Sequence, residues 1–304
     1  MADDTPQEPP LVTVTEPAPR VRKREPGPRP DWLRVRYSRG ESFREIERLK
    51  GDLRLHTVCE EARCPNIDEC WSAGTATFML MGDVCTRHCG FCAVGKGLPG
   101  RLDADEPANT ATAIARMKVR HAVITSVNRD DLPDGGAGHF AATVRAIRAA
   151  SPTTRIELLV PDFQGRRVDM QTVLDSGPDI VAHNTETVPR LYRRVRREAN
   201  YDQSLACIEH IAQSGILAKT GLMLGLGETD DEVESVMFDL ARRGCAILSL
   251  GQYLSPTVRH LAVSRWVSPE TFARLAEIGR TMGFKHVESG PLVRSSYMAH
   301  RAME

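Results

Sequence analysis

Six short apolar runs, each separated from the next by a longer amphipathic stretch, constrain the fold of this chain more than any other feature. The runs are 76–82 (ATFMLMG), 121–126 (HAVITS), 155–160 (RIELLV), 179–184 (DIVAHN), 218–224 (AKTGLML) and 246–252 (AILSLGQ). Their length and bounded apolar character predict buried strands. Helical periodicity is read near 107–118, 138–150, 168–176, 188–197, 202–214, 229–243 and 269–282, with a short capped helix at 42–50. Strands alternating with helices of this length predict βαβ units and a parallel sheet. Hairpin signals are few, so the fold class expected is α/β, a partial (β/α)6 barrel of the TIM type rather than a sandwich. The chain divides into a proline-rich tail (1–30), an N-terminal extension (31–75), the barrel (76–284) and a C-terminal segment (285–304).

The tail holds eight of the nineteen prolines. It lacks the apolar surface that would offset its ordering entropy, so it is expected to be disordered. Its basic run, Arg20 to Arg24, is a solvated stretch or a dock for an acidic partner. Forty Lys+Arg balance forty Asp+Glu, which argues against a nucleic-acid binder carried by bulk charge. No apolar run reaches the roughly 18 residues of a membrane span. The opening MADDTPQEPP lacks the basic-then-apolar order of a secretion signal. The expectation is a cytoplasmic protein with no nucleic-acid or membrane partner. Eight cysteines in such a chain are metal ligands or catalytic groups sooner than disulfides.

Six of those cysteines form two triads. Cys85, Cys89 and Cys92 make a C-x3-C-x2-C loop directly after the first predicted strand, and loops in that position form the active-site face of a parallel barrel. Three thiolates can hold three irons of a [4Fe–4S] cluster and leave the fourth open to a substrate. Structural zinc is the competitor, but it usually takes four ligands, and here His88 sits between ligands with its ring expected to point elsewhere. With Phe91 before the last cysteine, the loop resembles the motif of the radical S-adenosylmethionine (SAM) superfamily. That resemblance implies that SAM chelates the open iron. One electron from the reduced cluster then releases methionine and a 5′-deoxyadenosyl radical, which takes hydrogen from unactivated carbon as no side chain can.

The other triad, Cys59-x4-Cys64-x5-Cys70, matches no common zinc or disulfide framework, and alone its structural and functional readings balance. Together with the second triad, RDDLPDGG (129–136), GLGET (225–229) and VRSSY (293–297), it resembles the lipoyl synthase family, from Leu53 to Tyr297. The resemblance implies a second, auxiliary [4Fe–4S] cluster on Cys59, Cys64 and Cys70. Its fourth ligand would be Ser295, with Ser296 as the fallback. A hard alkoxide suits a soft site less than a fourth thiolate, so it is the ligand most easily displaced when sulfur must leave. Without the resemblance, Ser295 would read as a hydroxyl bonding nearby backbone.

The implied activity is that of a sulfurtransferase in lipoate biosynthesis. It inserts two sulfurs, both from the auxiliary cluster, at C6 and C8 of an octanoyl-lysine on a lipoyl carrier domain, and each C–H cleavage consumes one SAM. The implied partners are octanoylated E2 subunits of 2-oxoacid dehydrogenases and the glycine cleavage H protein. An electron donor such as flavodoxin or ferredoxin and an iron–sulfur carrier complete the set. The N- and C-terminal extensions would close the barrel mouth over an apolar tunnel. A biotin-synthase-like or methylthio-transferring enzyme would share only the second triad, and a zinc-binding interaction module is the non-enzymatic alternative.

Other residues carry weaker expectations. Asp134, Gly135 and Gly136 are candidates for the backbone edge that holds the SAM amine, or an ordinary turn. Asn128 joins them as a polar contact. Gly225 to Glu228 is read as a strand-to-helix turn or a wall of the adenosine pocket. His183 and Asn184 are candidates for the SAM carboxylate or ribose, or a satisfied pair at the barrel mouth. Cys207 and Cys245 are expected to be buried and inert. Arg190, Arg193, Arg194 and Arg197 fall on one face of the helix predicted at 188–197, a solvated face or a docking strip for an acidic carrier.

Overall fold

In the computed structural model all six apolar runs are strands, with ends within two residues of those expected. The structure describes residues 26–35, 39–72, 75–297 and 299; of the tail expected to be disordered (1–30), residues 1–25 lie outside them, whereas Gly27 is placed with its carbonyl accepting from Trp266 Nε1 at 3.3 Å. The strands are β1 (His56–Thr57), β2 (Thr77–Leu80), β3 (Val84–Cys85), β4 (Gly95–Lys96), β5 (His121–Ser126), β6 (Arg155–Leu159), β7 (Ile180–Ala182), β8 (Leu217–Leu224), β9 (Ile247–Gln252) and β10 (His286–Gly290). Eight of them form one sheet in the order β1-β2-β5-β6-β7-β8-β9-β10. Every pair in it is parallel except β1 with β2. The sheet curves through helical crossovers without a closing pair between β10 and β1 among the described residues, which is a partial barrel.

Burial on both faces explains why β2 and β9 read as continuous apolar runs instead of alternating ones. The helices cover the outside. Val233, Val236, Met237 and Leu240 form the inward stripe of the helix Asp230–Arg242. Its start is set by a capping box in which the Thr229 hydroxyl accepts from Glu232 N and the Glu232 carboxylate accepts from Thr229 N. The Asn200 and Ser268 side chains cap the helices Tyr201–Gln213 and Pro269–Thr281 by accepting from Gln203 N and Thr271 N.

Two strands of this sheet, and the separate pair β3-β4, were not foreseen. β10 extends the parallel sheet beyond β9 inside what reads as the C-terminal segment, and its sequence HVESG carries no apolar run because its residues are only half-buried. β1 has two residues, too few for any periodicity. The helix expected at 188–197 also needs correcting. Pro189–Leu191 is a 3-10 turn, Tyr192–Val195 is one α-turn, and Arg196 leaves helical geometry at φ −133°. The cause is the buried Arg196 guanidinium, which turns inward and donates to the carbonyl of Asn184 at 2.6 Å. Arg190, Arg193, Arg194 and Arg197 therefore do not share one continuous helical face.

Candidate functional site

The loops after the strands surround a cavity of about 720 Å³. Cys59, Cys64, Cys85, Cys89, Cys92 and Ser295 all line it, as do Asn128, His183 and Asn184. Cys70 lies behind Cys59 and Cys64 in a small apolar cluster with Phe43, Ile46 and Trp71. The remaining wall is largely aliphatic, including Met79, Val94, Leu159 and Leu222.

The second triad is held from three sides. β3 carries Cys85 and pairs with β4, whose Lys96 donates to the Cys89 carbonyl at 3.2 Å. His260 Nε2 lies 3.0 Å from the Cys92 carbonyl. Arg87, 5% exposed, donates to both carboxylate oxygens of Asp130 (2.6 and 2.9 Å) and of Asp162 (3.0 and 2.6 Å). Burial opposes its charge, but those four bonds hold the Arg87 pKa above its usual value. A guanidinium satisfied by two carboxylates pins the loop to the residues that follow β5 and β6. His88 points out to Glu198, 3.5 Å away, as its position in the motif implies.

The first triad meets the C-terminal segment. Asn66 donates to the Leu292 carbonyl at 2.7 Å, and the Tyr297 hydroxyl lies 3.1 Å from Glu69. Arg294 is half-buried and close enough to Cys64 for the two to interact electrostatically. A Cβ at Gly251 would sit 2.1 Å from the Val293 carbonyl, so only glycine lets this segment cross the end of β9. The crossing brings Ser295 Oγ to 3.3 Å from Asn184 Nδ2.

The donor set suits a soft, positively charged group. Burial pushes Cys89 up to about 12, and Cys92 and Cys85 raise it further. Burial likewise pushes Cys59 up to about 11 and Cys70 up to about 12, with neighbouring thiols adding to both. Packing cysteines this way disfavours thiolates unless a cation compensates. The buried side-chain amide oxygens (Oδ1) of Asn128 and Asn184 have no hydrogen-bond partner, and both residues face the cavity. A single tetrahedral zinc would hold its sulfurs within about 4 Å of one another. Among the described residues, the only trio with ligand atoms all within 4.8 Å is His56, Glu61 and Asp83, so neither thiol triad is drawn in to that spacing.

Several expected contacts lie elsewhere. Asp134, Gly135 and Gly136 do not line the cavity. The Asp134 carboxylate accepts from the backbone N–H of Gly136 and Gly138, both at 2.9 Å, and so starts the helix Ala137–Ala150. Around Gly225 the backbone N–H groups of Gly225, Leu226 and Gly227 converge on the Glu228 carboxylate at 2.6 to 3.1 Å, which makes this stretch a strand-to-helix turn. Cys207 and Cys245 are buried, and burial raises the pKa of each. Glu186 and Arg196 were missed. Both line the cavity, and burial raises the Glu186 pKa despite the nearby Arg196. One residue of each type in a loop gives no periodic signal; only the left-handed backbone of Glu186 (φ +64°) marks it as unusual.

His183 is a structural residue of the wall, with Nδ1 3.0 Å from the Val160 carbonyl and Nε2 3.2 Å from Ser204 Oγ. Burial, helped by Arg196, lowers its pKa from 6.5 to about 4. Between those values the unfolded chain binds the proton and the folded chain does not, so stability falls as pH drops through this window. From this group alone, urea unfolding at pH 5 should show about 2 kcal/mol less stability than at pH 7. A His183→Gln variant should lose that part of the acid dependence.

The comparisons with known proteins agree with this geometry. The Radical SAM superfamily model matches residues 79–240, and the model for the N-terminal domain of lipoyl synthase matches residues 13–64. Methylornithine synthase superposes with a TM-score of 0.53 at 13% identity, covering 84% of this chain and 81% of its own. HydG, a maturase of the [FeFe]-hydrogenase, gives 0.53 at 13% identity over 86% of this chain and 63% of its own, so both share the fold. An open parallel barrel with a three-cysteine loop at its mouth is the mark of a radical SAM enzyme, and the superfamily implies a [4Fe–4S] cluster and SAM. Lipoyl synthase of Rubrobacter xylanophilus is 55% identical over 91% of this chain and 87% of its own length. Lipoyl synthase of Bacteroides thetaiotaomicron is 52% identical over 93% and 99%. The chain belongs to the lipoyl synthase family.

Proposed function

We propose that this chain inserts sulfur at C6 and C8 of an octanoyl-lysine on a lipoyl carrier domain, using two [4Fe–4S] clusters held around one cavity. Cys85, Cys89 and Cys92 would hold the cluster that SAM engages. Cys59, Cys64 and Cys70, with Ser295, would hold the auxiliary one. When bound, the first group supplies the electron that cleaves SAM and the second supplies both sulfurs. The observation that carries this reading is that cysteines of both triads and Ser295 line the same 720 Å³ space.

The protein's own residues then have defined tasks. Asn128, whose backbone N–H lies 3.3 Å from Cys85 Sγ, would stabilise that thiolate and offer its unpartnered side-chain Oδ1 to the SAM amine. Asn184 holds Ser295 in place and shares its amide with Glu186. Glu186 and Arg196 provide one acceptor and one donor for the polar parts of SAM. The aliphatic wall would hold the acyl chain, where selectivity rests on position because no charge lies near the reacting carbons. Among the described residues no helix is long and apolar enough to cross a membrane.

Anaerobic incubation with reductant, SAM and an octanoyl-lysyl peptide tests the proposal. It should yield 5′-deoxyadenosine and a dithiolated peptide, both read by mass spectrometry. SAM cleavage without sulfur insertion would contradict it.

A further inference from the structure

The outer side of the three-cysteine loop is backed by an exposed basic rim. Gly90, between Cys89 and Cys92, donates to the Val195 carbonyl at 3.0 Å and accepts from Leu261 N at 3.1 Å. The stretches around Val195 and Leu261 therefore lie directly behind the loop. Arg193, Arg194 and Arg197 project from the first and Arg259 from the second, all of them exposed. Val258, next to Arg259, is fully exposed. Arg190 is tied to Glu232 at 2.7 Å, whereas these four arginines have no carboxylate within ion-pair distance among the described residues. The nearest acidic neighbour in sequence, Glu198, is turned toward His88. In a chain of zero net charge this is a local excess of positive charge around one apolar contact.

Position decides which partner the rim suits. None of the four arginines lines the cavity. A carrier domain must pass its acylated lysine into that cavity, but an electron donor needs only a close approach to the three thiolates. We propose that Arg193, Arg194, Arg197 and Arg259 form the docking surface for an acidic protein that donates one electron, carrying a flavin or an iron–sulfur centre. The inference rests on the reading of Cys85, Cys89 and Cys92 as cluster ligands. The donor loses one electron and the cluster gains it; no bond or proton moves. Charges at such a rim act mainly on association, and their effect fades as salt screens them.

The test compares two reductants on the reconstituted full-length protein carrying Arg193→Glu, Arg194→Glu and Arg197→Glu. Dithionite, which needs no docking, should form 5′-deoxyadenosine at the native rate. With reduced flavodoxin at low salt, the rate should fall by about tenfold or more, and the salt dependence seen in the native protein should disappear. Lysine at the same three positions should restore both, and Arg259→Glu alone should give a smaller loss. An unchanged flavodoxin-driven rate would overturn the proposal. So would a rise in KM for the octanoylated carrier in dithionite with no change toward flavodoxin, since the rim would then dock the carrier. No SAM cleavage by the native protein in dithionite would instead refute the cluster reading.

Discussion

Replacing Cys89 with alanine is expected to abolish SAM cleavage, with 5′-deoxyadenosine formation below about one-thousandth of the native rate, because no side chain can supply the radical chemistry in the cluster's place. Cys89 sits in the middle of the C-x3-C-x2-C loop, and burial pushes its thiol up to about 12. A thiolate there would be sustained only by a bound metal, and a two-cysteine remnant would leave that metal under-ligated. The loop itself should persist. Arg87 remains bound to Asp130 and Asp162, and the Gly90 and Cys92 backbone contacts to Val195 and His260 do not involve the Cys89 side chain. Circular dichroism and melting temperature should therefore stay close to native while iron content drops by about half. Persistent SAM cleavage in this variant would contradict the assignment.

Replacing Cys59 with alanine should separate the two halves of the reaction. Cys59 belongs to the cluster of Phe43, Ile46 and Trp71 and is 7% exposed, so its loss removes a proposed ligand and leaves a small gap in packing. A stability loss of about 1 kcal/mol is expected from the gap. The second triad lies outside that apolar cluster and keeps its Arg87 clamp. The variant should still form 5′-deoxyadenosine but make no dithiolated peptide. Ser295→Ala should show the same separation more mildly, since the proposed cluster would keep its three thiolates and Asn184 stays in place to order the wall. Normal sulfur insertion by Ser295→Ala would remove serine from the ligand set. Loss of neither activity in Cys59→Ala would remove the sulfur-donating role of the first triad.

How far these residues could be read in advance depended on what kind of signal each leaves. The strands β2, β5, β6, β7, β8 and β9 are legible because covering a parallel sheet on both faces leaves long apolar runs. The six cysteines are legible because each triad is closely spaced in sequence. Ser295 has no local signal, and only the combination of motifs singles it out. Its proximity to Asn184 depends on β10 and on the Gly251 crossing, which are tertiary events. Asp134-Gly135-Gly136 shows the opposite case. A glycine pair after a strand suits a ligand edge and a helix start equally, and the Asp134 carboxylate, placed to accept from two backbone N–H groups, makes it a helix start. Arg190 to Arg197 has helical spacing, yet one buried guanidinium outweighs that periodicity, because leaving Arg196 inside without the Asn184 and Thr185 carbonyls would strand a charge.

The central claim is that one cavity joins a site that cleaves SAM to a site that gives up sulfur. The most direct measurement is mass spectrometry of the peptide from a single turnover of protein whose clusters were rebuilt with heavy-isotope sulfide. The account predicts that both sulfurs in the product carry the label in the native protein, and that Cys59→Ala yields no labelled product while still cleaving SAM. A dithiolated product free of the label would contradict it.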